Sequence, residues 1–139
     1  QVWCFGTDDT HSKEYTFCGG YITVKTPDFS HQGIIKAIAE GSFFASSARE
    51  GAEAPRILDF FCEDGIAKLR CDPCRDAYFY FGCSTDPKSW SYSFKSTHAD
   101  KENPITSVEH EIPAETKYVK VSIQDFSGYN SWCQPLWLK

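Results

Sequence analysis

The sequence predicts a mainly β chain: a seven-stranded antiparallel Ig-like β-sandwich over residues 56–139, preceded by a strand–strand–helix segment of α/β character over 1–48. Three observations carry this. From residue 56 onward, short apolar stretches are separated by turn signals at Glu63-Asp64-Gly65, Asp72-Pro73, Asp86-Pro87, Pro113 and Ser127-Gly128, the spacing of a sandwich. Within residues 117–124, Val119, Val121 and Ile123 alternate with Lys120, Ser122 and Gln124, which buries one face and wets the other. Upstream, Ile34, Ile35 and Ile38 recur at helical spacing instead.

In chain order, Val2, Trp3 and Phe5 form an apolar run that stops at Gly6 and passes into Thr7-Asp8-Asp9-Thr10-His11-Ser12, a strand running into a polar loop. Tyr21, Ile22 and Val24 follow Gly19-Gly20 as a second strand, which Pro27 ends. Ser30 or Asp28 caps the helix and Gly41 supplies its left-handed stop. Small and charged residues without an apolar period place a linker at 49–55. The predicted sandwich strands are 56–63, 65–71, 76–82, 90–95, 106–112, 117–124 and 131–138, with no internal repeat.

A length of 139 residues holds one domain, or one domain and part of another. With 41% hydrophobic and 24% charged residues a folded core is expected, and collagen-like, disordered and coiled-coil classes drop out. Fourteen Lys and Arg against nineteen Asp and Glu give a net charge of −5, without a basic run to neutralise phosphates, so neither nucleic acid nor an acidic membrane surface is expected as a partner. The apolar stretches fall far short of the roughly 20 residues that cross a bilayer. Gln1 leads into Val2, Trp3 and Phe5 without a polar preamble, so the chain is expected to be a piece of something longer. The seven cysteines are odd in number and scattered, which favours reduced thiols and a cytoplasmic location over a secreted, bridged domain.

Asp9 and His11 carry the most chemistry. Residues i and i+2 of an extended segment project to one side, so this carboxylate and imidazole can converge on one cation of the zinc, manganese or iron type. Two ligands do not complete a site, since a catalytic zinc generally has three protein ligands and an open position. Asp8 points the other way and is expected to support the ligands or to shape the turn.

The run Val2-Trp3-Cys4-Phe5-Gly6-Thr7-Asp8-Asp9-Thr10-His11, then Gly19-Gly20-Tyr21-Ile22-Thr23-Val24-Lys25, then Ile34-Ile35-Lys36-Ala37-Ile38 with Gly41-Ser42-Phe43-Phe44-Ala45-Ser46-Ser47, resembles the end of a PHP domain, the polymerase and histidinol phosphatase type of metallohydrolase. Ile57-Leu58-Asp59-Phe60 before Glu63-Asp64-Gly65, and Thr116-Lys117-Tyr118-Val119-Lys120-Val121 before Ser131-Trp132-Cys133-Gln134-Pro135-Leu136-Trp137-Leu138, resemble the small β-sandwich that follows the barrel in many bacterial stand-alone PHP proteins. The resemblance implies that 1–48 is the last part of a distorted α/β barrel whose strand ends hold divalent metals and hydrolyse phosphate esters. It assigns Asp9 and His11 to the last metal motif. The family's opening His-x-His and intermediate Glu and His ligands have no counterpart here. The implied protein is therefore the C-terminal part of a bacterial cytoplasmic metal-dependent phosphoesterase, partnered by the rest of its barrel and a small phosphorylated substrate, and not competent alone. The sequence singles out no catalytic residue besides the metal ligands. Ser46 and Ser47 are placed either to line a phosphate pocket or to allow close packing.

Two further features invite readings of their own. Cys71-Asp72-Pro73-Cys74, with Cys62 and Cys83, has the composition of a Cys₄ zinc site, although only one pair is closely spaced; a redox pair needs its first Cys at a helix N-terminus, whereas this one falls between strands, and half-buried thiols are the simpler expectation. Residues 78–81 and Trp90, Tyr92 and Phe94 are aromatic, and alternation sends half of such rings into the core. Rings left outside would suit the alternative function, a free-standing secreted β-sandwich carbohydrate-binding module. His31, His98 and His110 read as helix-start, loop and strand residues, with no function assigned to them.

Overall fold

Tyr21, Ile22 and Val24 lie in the first strand, β1 (Gly20–Val24), of a computed structural model that describes residues 3–8, 11, 18–83 and 92–139. Ser30 then starts α1 (His31–Ala39): its hydroxyl accepts the Gly33 N–H at 3.0 Å, while the Asp28 carboxylate accepts both the Ser30 N–H and its hydroxyl. Both candidate caps thus act together. Gly41, at φ +74°, turns the chain out of the helix into β2 (Phe43–Ser47). The remaining strands are β3 (Ile57–Glu63), β4 (Ile66–Cys74), β5 (Asp76–Gly82), β6 (Tyr92–His98), β7 (Ile105–Glu111), β8 (Tyr118–Gln124), β9 (Asn130–Cys133) and β10 (Leu136–Trp137).

All pairings are antiparallel and neither sheet is closed. The larger sheet runs β1-β2-β9-β8-β5-β6, with β10 also on β8, and the smaller runs β3-β4-β7. Their facing sides share one core: Phe79, Phe81, Val119, Val121 and Ile123 from the larger sheet meet Ala67, Leu69, Cys71, Cys74 and Ile105 from the smaller. Each large apolar side chain so buried contributes about 1.5–3 kcal/mol.

The strands expected from residue 56 onward are present with small shifts of their ends. The last is divided: Pro135, which has no N–H to give a ladder, separates β9 from β10. The turn expected at Asp86-Pro87 and the residue Trp90 lie outside the described residues.

The first 48 residues differ from expectation in two ways. Residues 3–8 do not form a strand, and residues 43–47, where no strand is predicted, form β2, so the order is strand–helix–strand. β2 lies between β1 and β9, pairing with both along its length. Ala45, Ser46 and Ser47 look like loop residues because they are small. Here, Ser46 is buried and its hydroxyl meets that of Ser131 on β9 at 2.9 Å, so the polar atom is satisfied inside the fold. One sheet therefore passes through both segments.

Candidate functional site

Residues 3–8, which lead into the Asp9–His11 motif, are held by side chains rather than by a ladder. The Trp3 indole N–H donates to the Ala39 carbonyl at 3.1 Å, at the end of α1. The Gln134 amide is buried and grips Cys4 twice: its Oε1 accepts the Cys4 N–H, and its Nε2 donates to the Cys4 carbonyl, both at 2.8 Å. A side chain thus imitates a neighbouring strand. Phe5 packs on Phe43 with ring centres 4.8 Å apart. Gly6 lies so close to β1 and β2 that a Cβ would stand 2.5 Å from the Tyr21 carbonyl oxygen, and this position therefore requires glycine.

Asp8 completes the attachment. Its carboxylate accepts the Cys18 N–H at 2.7 Å and also the Gly20 N–H, at the start of β1. Cys18 takes a left-handed conformation, φ 57°, at this point. The supporting role expected of Asp8 is thus one of fixing backbone: the residues on both flanks of 9–17 are tied to each other. Asp9 lies outside the described residues, and His11 is described and exposed. Among the described residues no group of three or more His, Cys, Asp or Glu side chains converges to hold a metal ion. A carboxylate and an imidazole are suitable donors for zinc, manganese or iron, but they are two of the three that a catalytic ion generally needs. Asp9 and His11 would fit such an ion only as part of a larger ligand set.

A cleft of about 410 Å³ opens beside the clamped segment, lined by residues 4–7, Gly20, residues 45–47, Lys120, Trp132 and Cys133. Ser46 and Ser47, read together from sequence, divide here. The Ser46 hydroxyl is committed to Ser131, a packing role, whereas Ser47 is exposed at the cleft. Lys120 brings the cleft a cation, and its ammonium also lies 5.3 Å from the centre of the Tyr80 ring.

Sequence reading missed a second polar cluster. Asp76 is buried, and its Oδ1 lies 2.7 Å from His98 Nδ1 while its Oδ2 accepts from Arg75 Nε at 2.8 Å. Arg75 also donates to the Gln124 side-chain carbonyl. Burial opposes the charge on Asp76, but the bonds from His98 and Arg75 and their charges outweigh it and hold the carboxyl below its usual range. Asp76 and His98 are direct cross-strand partners. The signal that finds them is hairpin register, not spacing in sequence. Chemically, the cluster ties β5, β6 and β8 together at one end of the larger sheet. His110 is different: burial, then Lys95, lowers its pKa, and its Nε2 lies 3.2 Å from the Thr97 hydroxyl.

The aromatic run divides as alternation predicts. Phe79 and Phe81 are fully buried, while Tyr78 and Tyr80 lie on the other side with Phe94, at ring distances of 5.8 Å and 5.4 Å. Cys71 and Cys74 come together, whereas Cys62 and Cys83 form no metal-holding group with them among the described residues. No family model, curated protein or solved structure matches the chain.

Proposed function

We propose that the chain is the C-terminal part of a bacterial, cytoplasmic PHP-type metal-dependent phosphoesterase: a barrel segment (1–48), a linker (49–55) and an Ig-like sandwich (56–139). The observation that carries this reading is the set of contacts that fixes residues 3–8 and 18–20 on either side of the Asp9–His11 motif. A loop that only connects two strands has no need of a buried glutamine and a bridging carboxylate at its base. A loop that presents metal ligands has that need, because ligand geometry must be held to fractions of an ångström.

In this reading Asp9 and His11 join donors from the rest of the barrel around a divalent ion of the zinc, manganese or iron type. When bound, such an ion acidifies a water enough to attack a small phosphate ester at neutral pH. Asp8 and Gln134 would position the motif, and Lys120 and Ser47 line the cleft beside residues 4–7, where they suit an anionic group. Among the described residues no complete ligand set is assembled, and in this reading the missing donors belong to the rest of the barrel, so with Mn²⁺ the 139-residue chain is expected to leave p-nitrophenyl phosphate uncleaved. Mn²⁺ is expected to broaden the NMR signals of residues around His11 first, and to lose that preference in His11→Ala. Equal broadening in the variant would remove the ligand assignment, and metal-dependent turnover by the chain that disappears in Asp9→Ala would show that it is competent alone.

One observation favours a second reading. Phe94 and Trp132, 49% and 36% exposed, lie in the same sheet as Tyr78 and Tyr80, and flat rings on a sheet face suit stacking on sugars in a secreted carbohydrate-binding module. Quenching or a blue shift of tryptophan fluorescence on titration with soluble polysaccharides would favour it over the phosphoesterase reading.

A further inference from the structure

Cys71 and Cys74 both lie on β4, three residues apart, and in a regular strand such residues point to opposite faces. The pairing of β4 with β7 shifts between Arg70 and Cys74, and this irregularity changes the outcome. Pro73 is exposed, while Cys71 and Cys74 are both turned into the core, 3% and 0% exposed, with their sulfur atoms 3.7 Å apart. Arg56 secures the bulge from outside: its main-chain N–H, Nε and Nη2 all donate to the Asp72 carboxylate, and its carbonyl accepts the Asp72 N–H at 3.0 Å. A bulge stabilised in this way, with two thiols in contact beneath it, is more than packing requires.

We propose that Cys71 and Cys74 are a peroxide-sensitive dithiol that closes into a disulfide within β4. A disulfide needs its sulfurs about 2.0 Å apart. The sulfurs, 3.7 Å apart, have less than about 2 Å to close. In the first step the Cys71 thiolate attacks one oxygen of hydrogen peroxide, the O–O bond breaks, and hydroxide leaves and is protonated to water. Cys71 is then a sulfenic acid. The Cys74 sulfur attacks the Cys71 sulfur and the S–O bond breaks, and the departing hydroxide takes the Cys74 proton as a second water. Two thiols thus lose two electrons and two protons, and the peroxide is reduced to two waters.

The order of attack follows from the contact between the thiols. The hydrogen bond from Cys74 stabilises a thiolate on Cys71 against the opposing effect of burial, whereas the same contact, with burial, keeps Cys74 protonated. Cys133 serves as the contrast within the same core, since burial pushes its thiol up to about 12 and leaves it unreactive. The closed loop is short, so the bond adds little chain-entropy stabilisation. It is a reversible mark on the bulge, not a staple for the fold.

The test is peptide mapping of the full chain after brief exposure to hydrogen peroxide, with remaining thiols alkylated in denaturant. The expected result is a peptide holding Cys71 and Cys74 that is lighter by two hydrogens, takes up no alkylating agent, and takes up two equivalents once dithiothreitol has reduced it. In Cys74→Ser, Cys71 is expected to stop at the sulfenic acid and to be trapped by dimedone. Recovery of both cysteines as alkylated thiols from wild-type protein whose exposed Cys4 and Cys18 have been oxidised would overturn the proposal, as would a bond from either to any other cysteine. The wild-type map decides the matter even if the serine variant fails to fold, and it does not depend on the metal assignment.

Discussion

Asp76 is the residue whose environment departs furthest from its sequence context. Its sequence places it, after Arg75, at the start of the strand predicted over 76–82, with nothing to mark a partner, and it is a buried anion held by His98 from β6 and by Arg75. A charge removed from water in this way must be paired. His98 reads as a loop residue: its acidic neighbour in sequence is Asp100, whereas the carboxylate it meets is Asp76. Only the β5–β6 register, which sets residue 76 against residue 98, makes the pair visible. The lowered pKa of Asp76 fixes the sign of its contribution. Its stabilisation is fully present above the unfolded carboxyl value of about 4 and is lost as pH falls through the lower folded value. Asp76→Asn is therefore expected to cost about 1–3 kcal/mol at neutral pH, and the gap from wild type should narrow below about pH 4. Urea unfolding at pH 7 and pH 3 measures both, and an unchanged gap would dissociate the ion pair from stability.

At the scale of elements, the contrast between residues 3–8 and β2 shows where pattern reading succeeds and where it stops. Val2, Trp3 and Phe5 have the composition of a strand, and the segment is indeed fixed against the sheet, but through Gln134, more than a hundred residues away. No local signal marks a glutamine that stands in for a strand. β2 fails in the opposite direction: no strand is predicted over residues 43–47, and in the fold they pair with β9, where Ser131 faces Ser46. The helix, by contrast, was legible to its caps, because capping is a local transaction between Asp28, Ser30 and Gly33. The anchors of residues 3–8 leave no such local signal. Gln134→Ala removes both bonds to Cys4 and is expected to cost about 1–3 kcal/mol. Hydrogen exchange gives the sharper readout: the Cys4 amide should lose protection while the amides of β5 keep theirs. Uniform loss across the chain would mean that Gln134 supports the fold in general and not residues 3–8 in particular.

For the whole molecule, the decisive fact is that the two sheets share a single core and that the larger sheet extends through β2 to β1. The seven regions that the turn signals marked out after residue 55 became strands because sandwich strands announce themselves by alternation and by Gly, Pro and Asp at their ends. How β1 and β2 join them was not legible, since strand order within a sheet is set by distant partners. This joining has an energetic consequence. Phe44 on β2 belongs to the same buried cluster as Ile57, Leu69, Phe79 and Val121, so the apolar area that stabilises the first segment also stabilises the sandwich. Separating them would expose the β9 edge and open the core on one side. The chain is therefore expected to unfold as one unit, with amide signals from β1 and from β7, at opposite extremes of the two sheets, disappearing at the same urea concentration. Phe44→Ala is expected to cost about 3–5 kcal/mol and to lower both midpoints together. If β1 and β2 instead melt first and leave β3 to β9 intact, the shared core does not couple the segments. The first 48 residues would then behave as an appendage whose folding depends on another partner, such as the remainder of a barrel.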